Sequence, residues 1–216
     1  MEHTEAGARE RLLSEAERLF MSHGFAAVST RDICAAARIK QPTLYHYFAN
    51  KEELYLAVTQ RWLARFGTGI RGGIATNTTL ATQLHAIATL FWAGPAGEYQ
   101  AMQRDAMLNM PAEHLATVGQ MVWRELLAPI SDLLKDAITR GELPNYADPV
   151  VLMQIFWALV DGVSGIYRRG DPMPAPTANR AIIDFFLGGA RSMRAEDFAQ
   201  WPRPHELEPF QQRESE

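Results

Sequence analysis

Apolar residues return along most of this chain at intervals of three and four, the spacing that gathers them on one face of an α-helix. Between Ala8 and Ser22 the set Leu12, Leu13, Ala16, Leu19 and Phe20 marks a first helix, and Gly24 follows where a C-capping glycine belongs. Ser29 opens a short second helix. Asp32, three residues on, gives it a short-armed capping box, and Ile33, Ala36 and Ala37 form its inner face. Only Arg38-Ile39-Lys40 separates it from a third helix, which Pro42 starts and which runs to about Tyr47. Asn50 and Glu53 make an N-x-x-E cap for a fourth, ending near Phe66.

The stretch Gly67 to Asn77 holds four glycines and no apolar period, so it is read as the boundary between two regions. Beyond it the pattern predicts helices at about 79–93, 96–109, 112–140, 148–169 and 177–193. Pro129 is expected to kink or divide the long third one. No segment alternates over about 4–8 residues between turn signals, so no strand is predicted. The fold class is all-α with about nine helices. Residues 8–66 form a three-helix helix-turn-helix unit together with a linking fourth helix. Residues 67–194 form a larger helical region, and 195–216, rich in proline and charge, a flexible tail.

Composition narrows the function. With 47% hydrophobic and 21% charged residues the chain can bury a sizeable core. Its net charge of −4 excludes nucleic-acid binding by overall charge. The charge is uneven, however: residues 1–65 carry 9 basic against 8 acidic side chains, and residues 66–216 carry 12 against 17. Any DNA contact is therefore local and N-terminal. The single cysteine, Cys34, excludes an internal disulfide and reads as a buried spare thiol. The N-terminus lacks the pattern of a signal peptide, and no apolar run reaches the roughly 18 residues of a membrane span. A cytoplasmic protein without membrane contact is expected.

The third helix carries the candidate chemistry. In QPTLYHYF, residues 41–48, Leu44 and Phe48 share one face and serve as core anchors. Pro42 and His46 point the opposite way, with Thr43 and Tyr45 on the flanks. Gln41 can pair bidentately with adenine, and Pro42 or Thr43 can pack on a thymine methyl. Lys51 stands in the first turn of helix four, where the helix dipole disfavours a cation unless a phosphate binds there. Thr30 and Arg31, at the start of helix two, are placed to grip the DNA backbone in the same way.

These residues, STRDICAAARIKQPTLYHYFANKEEL at 29–54, resemble the helix-turn-helix of the TetR family, with the likeness concentrated between Leu12 and Leu56. The resemblance implies base or groove contacts from Gln41, Pro42, Thr43, Tyr45 and His46, and backbone contacts from Thr30, Arg31, Tyr47 and Lys51. It also implies that residues 8–66 are a DNA-binding domain and 67–194 a ligand-binding and dimerisation domain, with a homodimer on palindromic double-stranded operator DNA, a small-molecule effector, and repression relieved when a hydrophobic ligand binds. No cofactor is expected.

For the dimer, Ala158, Gly162 and Gly165 form a strip of small residues, and the last helix offers Ile182, Phe185, Phe186 and Gly189. For the ligand, Leu84, Ile87, Phe91, Trp92, Met102, Met107, Met121, Trp123 and Leu126 are bulky and adaptable side chains that can line a pocket or fill a core equally well. His85 and His114 have no partner at metal-ligand spacing, so no metal site is expected. No motif of a hydrolase, metalloprotease or phosphate-binding loop is present, which argues against an enzyme. The alternative is a helical small-molecule-binding or interaction protein without DNA binding.

Overall fold

The computed structural model describes the backbone of residues 2–92, 96–167 and 175–199, and the side chains of 7–91, 102, 104–163 and 177–199. All regular structure in these residues is helical: α1 (Glu2–His23), α2 (Thr30–Ala37), α3 (Gln41–Tyr47), α4 (Lys51–Thr76), α5 (Leu80–Trp92), α6 (Ala96–Asn109), α7 (Ala112–Val122), a π-helical turn (Trp123–Leu127), α8 (Ala128–Thr139), α9 (Pro149–Tyr167), α10 (Ala175–Ser192) and α11 (Ala195–Ala199). The chain clusters into two compact units, Met1–Arg65 with Pro95–Val122, and Phe66–Gly94 with Trp123–Glu216.

In the first unit the inner faces of α1, α2, α3 and α4 meet through Leu12, Phe20, Ile33, Leu44, Leu54 and Val58, all fully buried. Phe20, Phe25 and Tyr55 pack ring against ring at 5.1–5.9 Å. Outside this core, Arg61 of α4 pairs with Glu10 at 2.6 Å and Glu17 at 3.6 Å, and Arg65 pairs with Glu17. Tyr55 is enclosed, and its hydroxyl and that of the buried Thr59 are near one another without reaching hydrogen-bond geometry, with no other partner for either among the described residues. Burial pushes the Tyr55 phenol up to about 12, with the Thr59 hydroxyl opposing and the Asp105 charge adding to the rise. A pKa raised on folding makes the protein lose stability as pH climbs from the ordinary tyrosine value near 10 to about 12. Tyr55→Phe removes an unpartnered hydroxyl at constant shape. It is expected to change stability at pH 7 by less than about 1 kcal/mol and to abolish the Tyr55 share of that alkaline loss, as read by urea unfolding at pH 7 and pH 11.

In the second unit Leu84, Ile87, Ile130, Leu134 and Phe156 form the centre of the core. Phe91 stacks edge-on against Phe66 and Trp157, each at 4.9 Å. Pro129 divides the long helix as expected. It has no N–H for the carbonyl of Glu125 four residues earlier, and the chain widens into the π-turn just ahead of it.

Two expectations are corrected. Helix α4 does not end at Phe66 but continues to Thr76, so the predicted boundary at Gly67 to Asn77 lies almost wholly inside a helix. The glycines there serve close packing: a Cβ on Gly67 would meet the Glu125 carbonyl oxygen at 2.7 Å, one on Gly69 the Leu90 side chain at 3.2 Å, and one on Gly73 the Ala86 Cβ at 3.1 Å. The tail is not irregular from residue 195, because α11 buries Phe198 with its ring centroid 6.3 Å from that of Tyr146, and the Tyr146 hydroxyl donates to the Met193 carbonyl at 2.9 Å. Residues 200–216 lie outside the described residues.

Candidate nucleic-acid interface

The site is built by two caps and a turn. Ser29 accepts from the Asp32 backbone N–H at 3.2 Å, while the Asp32 carboxylate accepts from the Ser29 N–H at 2.9 Å and its hydroxyl at 2.6 Å. These bonds, the side-chain one foremost, hold the Asp32 carboxyl below its ordinary range and keep it ionised for capping. Helix α2 ends in a Schellman turn: Arg38 N–H donates to Ala35 O at 3.2 Å and Ile39 N–H to Cys34 O at 2.9 Å. Arg38 takes the left-handed conformation this requires, with φ 54° and ψ 45°. A non-glycine residue there costs roughly 1–2 kcal/mol.

Helix α3 is held from below by Leu44 and Phe48, 0% and 4% exposed, and the Arg9 guanidinium lies 5.5 Å above the Phe48 ring. Pro42, Tyr45 and His46 are therefore exposed, and Gln41, Thr43 and Tyr47 half-buried. The Tyr45 hydroxyl lies 3.4 Å from the Thr30 hydroxyl. An open groove of about 490 Å³ runs between the starts of α2 and α4, lined among others by Ser29, Thr30, Tyr45, Asn50 and Lys51. The Asn50 side chain caps α4 by accepting from Glu53 N–H at 2.8 Å, and the Lys51 ammonium sits 4.2 Å above the Phe25 ring. Three side chains expected on DNA, Thr30, Tyr45 and Lys51, thus share one groove. Gln41, Pro42, Thr43 and His46 lie along α3 beside it, and Arg31 is exposed at the first turn of α2. Tyr47 packs against the His46 ring at 5.1 Å.

One supporting residue has no signal in the sequence. Asp105 of α6 accepts from the Ala26 N–H at 2.7 Å, which ties down the loop that leads into α2. Gly24 fits this approach, since a Cβ there would meet the Asp105 carboxylate at 2.9 Å. The two partners are 79 residues apart, and nothing local marks either. Asp105→Ala is expected to destabilise the first unit by about 1.5–3 kcal/mol, the usual worth of a hydrogen bond to a charged group. Hydrogen exchange at the Ala26 amide would accelerate selectively; unchanged exchange there would show that the bond does not hold the loop.

The model of the tetR family of bacterial regulatory proteins matches residues 12–58, the segment that carries this geometry. Residues 12–58 are thus similar to the TetR-type helix-turn-helix region. The HTH-type transcriptional repressor ComR of Escherichia coli K12 is 28% identical over 169 residues, 75% of this chain and 80% of ComR. The HTH-type transcriptional activator FasR of Mycolicibacterium smegmatis is 34% identical, but over 39% of this chain and 38% of its own length. The transcriptional regulator FadR from Bacillus subtilis, solved in complex with stearoyl-CoA, shares the fold, with a TM-score of 0.73 at 15% identity over 83% of this chain and 98% of FadR.

The remaining candidate residues fall in different settings. Leu84, Ile87, Phe91 and Leu126 are buried in the second unit and Met102 in the first, while Met121 is half-buried. Met107 and Trp123, expected in a pocket, are instead 62% and 41% exposed, because each falls on an outer face of its helix. At the expected dimer surface Phe185 is 72% exposed, and Ala158, Gly162 and Gly189 are exposed. Ile182 and Phe186 are not exposed with them; they turn inward, and Phe186 packs on Phe156 at 5.4 Å. The side chain of Trp92 and the surroundings of Gly165 lie outside the described residues. A groove of about 620 Å³ between α5 and α10, lined by His85, Arg180 and Asp184 among others, has no signal in the sequence. Among the described residues no helix is long and apolar enough to cross a membrane, and no group of three or more His, Cys, Asp or Glu could hold a metal ion.

Proposed function

We propose that the chain is a TetR-family transcriptional regulator that binds palindromic operator DNA as a homodimer, with α3 in the major groove, and that a small apolar effector bound by the second unit releases it. The observation that carries this reading is the outward face of α3. Gln41, Pro42, Thr43, Tyr45 and His46 include no Lys, Glu or Asp, although helices exposed only to water are rich in those residues. Gln, Pro and Thr offer what the major groove reads: a bidentate donor–acceptor pair for adenine and methyl or ring contacts for thymine.

A dimer is supported by the apolar surface of α9 and α10, where Leu152, Ile155, Leu159, Phe185 and Met193 line a shallow groove. Burying an exposed Phe185 against its symmetry mate is favourable by roughly 25 cal/mol per Å² removed from water. Two-fold symmetry also sets the recognition helices roughly 34–36 Å apart, one turn of DNA. An apolar effector is supported by the aromatic and aliphatic interior of the second unit around Phe66, Phe91 and Trp157, and by the acyl-CoA bound to a FadR of the same fold. Release then requires the effector to prefer the conformation with the wrong helix spacing.

Selection of bound duplexes from a random pool tests this. The expected result is a palindromic winner that binds two chains per duplex. Failure to enrich any duplex at low salt would leave a helical ligand-binding or interaction protein without DNA binding.

A further inference from the structure

Two cations stand in the turn between α2 and α3, each at a position where local chemistry favours another residue. Arg38 occupies the left-handed site of the Schellman turn, the usual place of glycine, and is the only non-glycine residue with positive φ among the described residues. Lys40 is the N-cap of α3, where Ser, Thr, Asp or Asn would bond a free backbone N–H, and its side chain makes no such bond. Both are exposed, and neither side chain makes a hydrogen bond, ion pair or ring contact among the described residues.

Five other cations of the first unit are engaged, whereas Arg11, Arg31 and Arg104, like Arg38 and Lys40, make no hydrogen bond, ion pair or ring contact among the described residues. Arg18, Arg61 and Arg65 pair with glutamates, while Arg9 and Lys51 sit over aromatic rings. Those five have partners inside the unit, and Arg38 and Lys40 have none among the described residues. A cation near the C-terminus of α2 is favoured by its dipole, which partly explains Arg38 but runs the wrong way for Lys40 at the start of α3. Local rules broken without an internal compensation mark places selected for an external one.

We infer that Arg38 and Lys40 contact DNA phosphates beside the recognition helix and so extend the backbone grip beyond Thr30, Arg31, Tyr47 and Lys51. This rests on the DNA-binding reading above. A long flexible cation matches a phosphate contact in type, and such contacts position the protein without reading sequence. The inference also carries a sign that a structural role would not. Arg38→Gly and Lys40→Ser restore the locally preferred residues, so the double variant should fold more stably and bind more weakly.

The test is anisotropy titration of the selected duplex against sodium chloride, for wild type, Arg38→Gly, Lys40→Ser and the double variant, beside thermal unfolding of each. The double variant should lose on the order of tenfold in affinity near physiological salt, on scrambled duplexes as well as on the selected one. Its plot of log affinity against log salt should become shallower by about 0.9 for each contact removed. Its unfolding midpoint should equal or exceed that of wild type. Affinity within twofold of wild type and an unchanged salt slope, on a duplex that wild type selects, would overturn the inference and leave the operator reading intact. A lowered midpoint accompanying the weaker binding, with no change in salt slope, would overturn it too, by showing that the turn residues act through folding. Absence of any selected duplex would remove the DNA-binding reading and the inference together.

Discussion

Gly67→Ala is expected to destabilise the protein by about 2–3 kcal/mol, at the upper end for adding one methyl to a packed site. The added Cβ would lie 2.7 Å from the Glu125 carbonyl oxygen, and a backbone atom cannot swing aside as the tip of a side chain can. That oxygen belongs to the π-turn ahead of Pro129, and Glu125 is fixed further by Arg124 at 2.9 Å and Arg71 at 3.3 Å. These arginines, Arg124 first, hold its carboxyl below the usual range. Gly72→Ala is the matched control. It has nothing within 4 Å of the new methyl and should gain about 0.5–1 kcal/mol from helix propensity alone. Opposite signs from two glycines five residues apart in one helix would establish the close approach of α4 to the π-turn; equal gains from both in urea unfolding would refute it.

The second large effect is on binding. Thr43→Ala with Tyr45→Ala is expected to weaken operator affinity on the order of 100-fold, since groove contacts contribute about 1–3 kcal/mol each. Stability should barely move, because Tyr45 is 51% exposed and the Thr30 hydroxyl is distant from its own at 3.4 Å. Leu44→Ala separates the two roles of α3: removing a fully buried anchor should cost about 2–5 kcal/mol of stability and take binding down with it. Anisotropy and urea unfolding on the same preparations distinguish the cases. If the double variant bound as wild type does, the assigned groove contacts would be wrong even with α3 correctly placed.

Much of the recognition unit was legible because its determinants are local. The Ser29–Asp32 box, the Pro42 start, the Asn50 cap and the Leu44–Phe48 spacing each act within four residues, so periodicity and capping rules place α2, α3 and the start of α4 without knowledge of the rest. Pro129 worked the same way, through a missing N–H. The glycines of α4 misled for the opposite reason. Their local propensity favours a break, and it is overridden by Leu90, Ala86 and the Glu125 carbonyl, distant in sequence, which leave no room for a side chain. The pattern of exposure on α10 failed similarly, since Ile182 and Phe186 turn inward while Phe185 between them does not.

Periodicity, caps and turn chemistry reach only a few residues along the chain, and they suffice for an all-helical chain, a helix-turn-helix at residues 29–51 and the outward positions of Pro42, Tyr45 and His46. Tertiary packing was needed to show that Asp105 holds the loop before α2, that α4 runs unbroken to Thr76, that Met107 and Trp123 face outward, and that the Arg38 and Lys40 side chains have no partner among the described residues. Each of these depends on what another segment brings within a few ångströms, and a side chain's propensity carries no record of its distant neighbours.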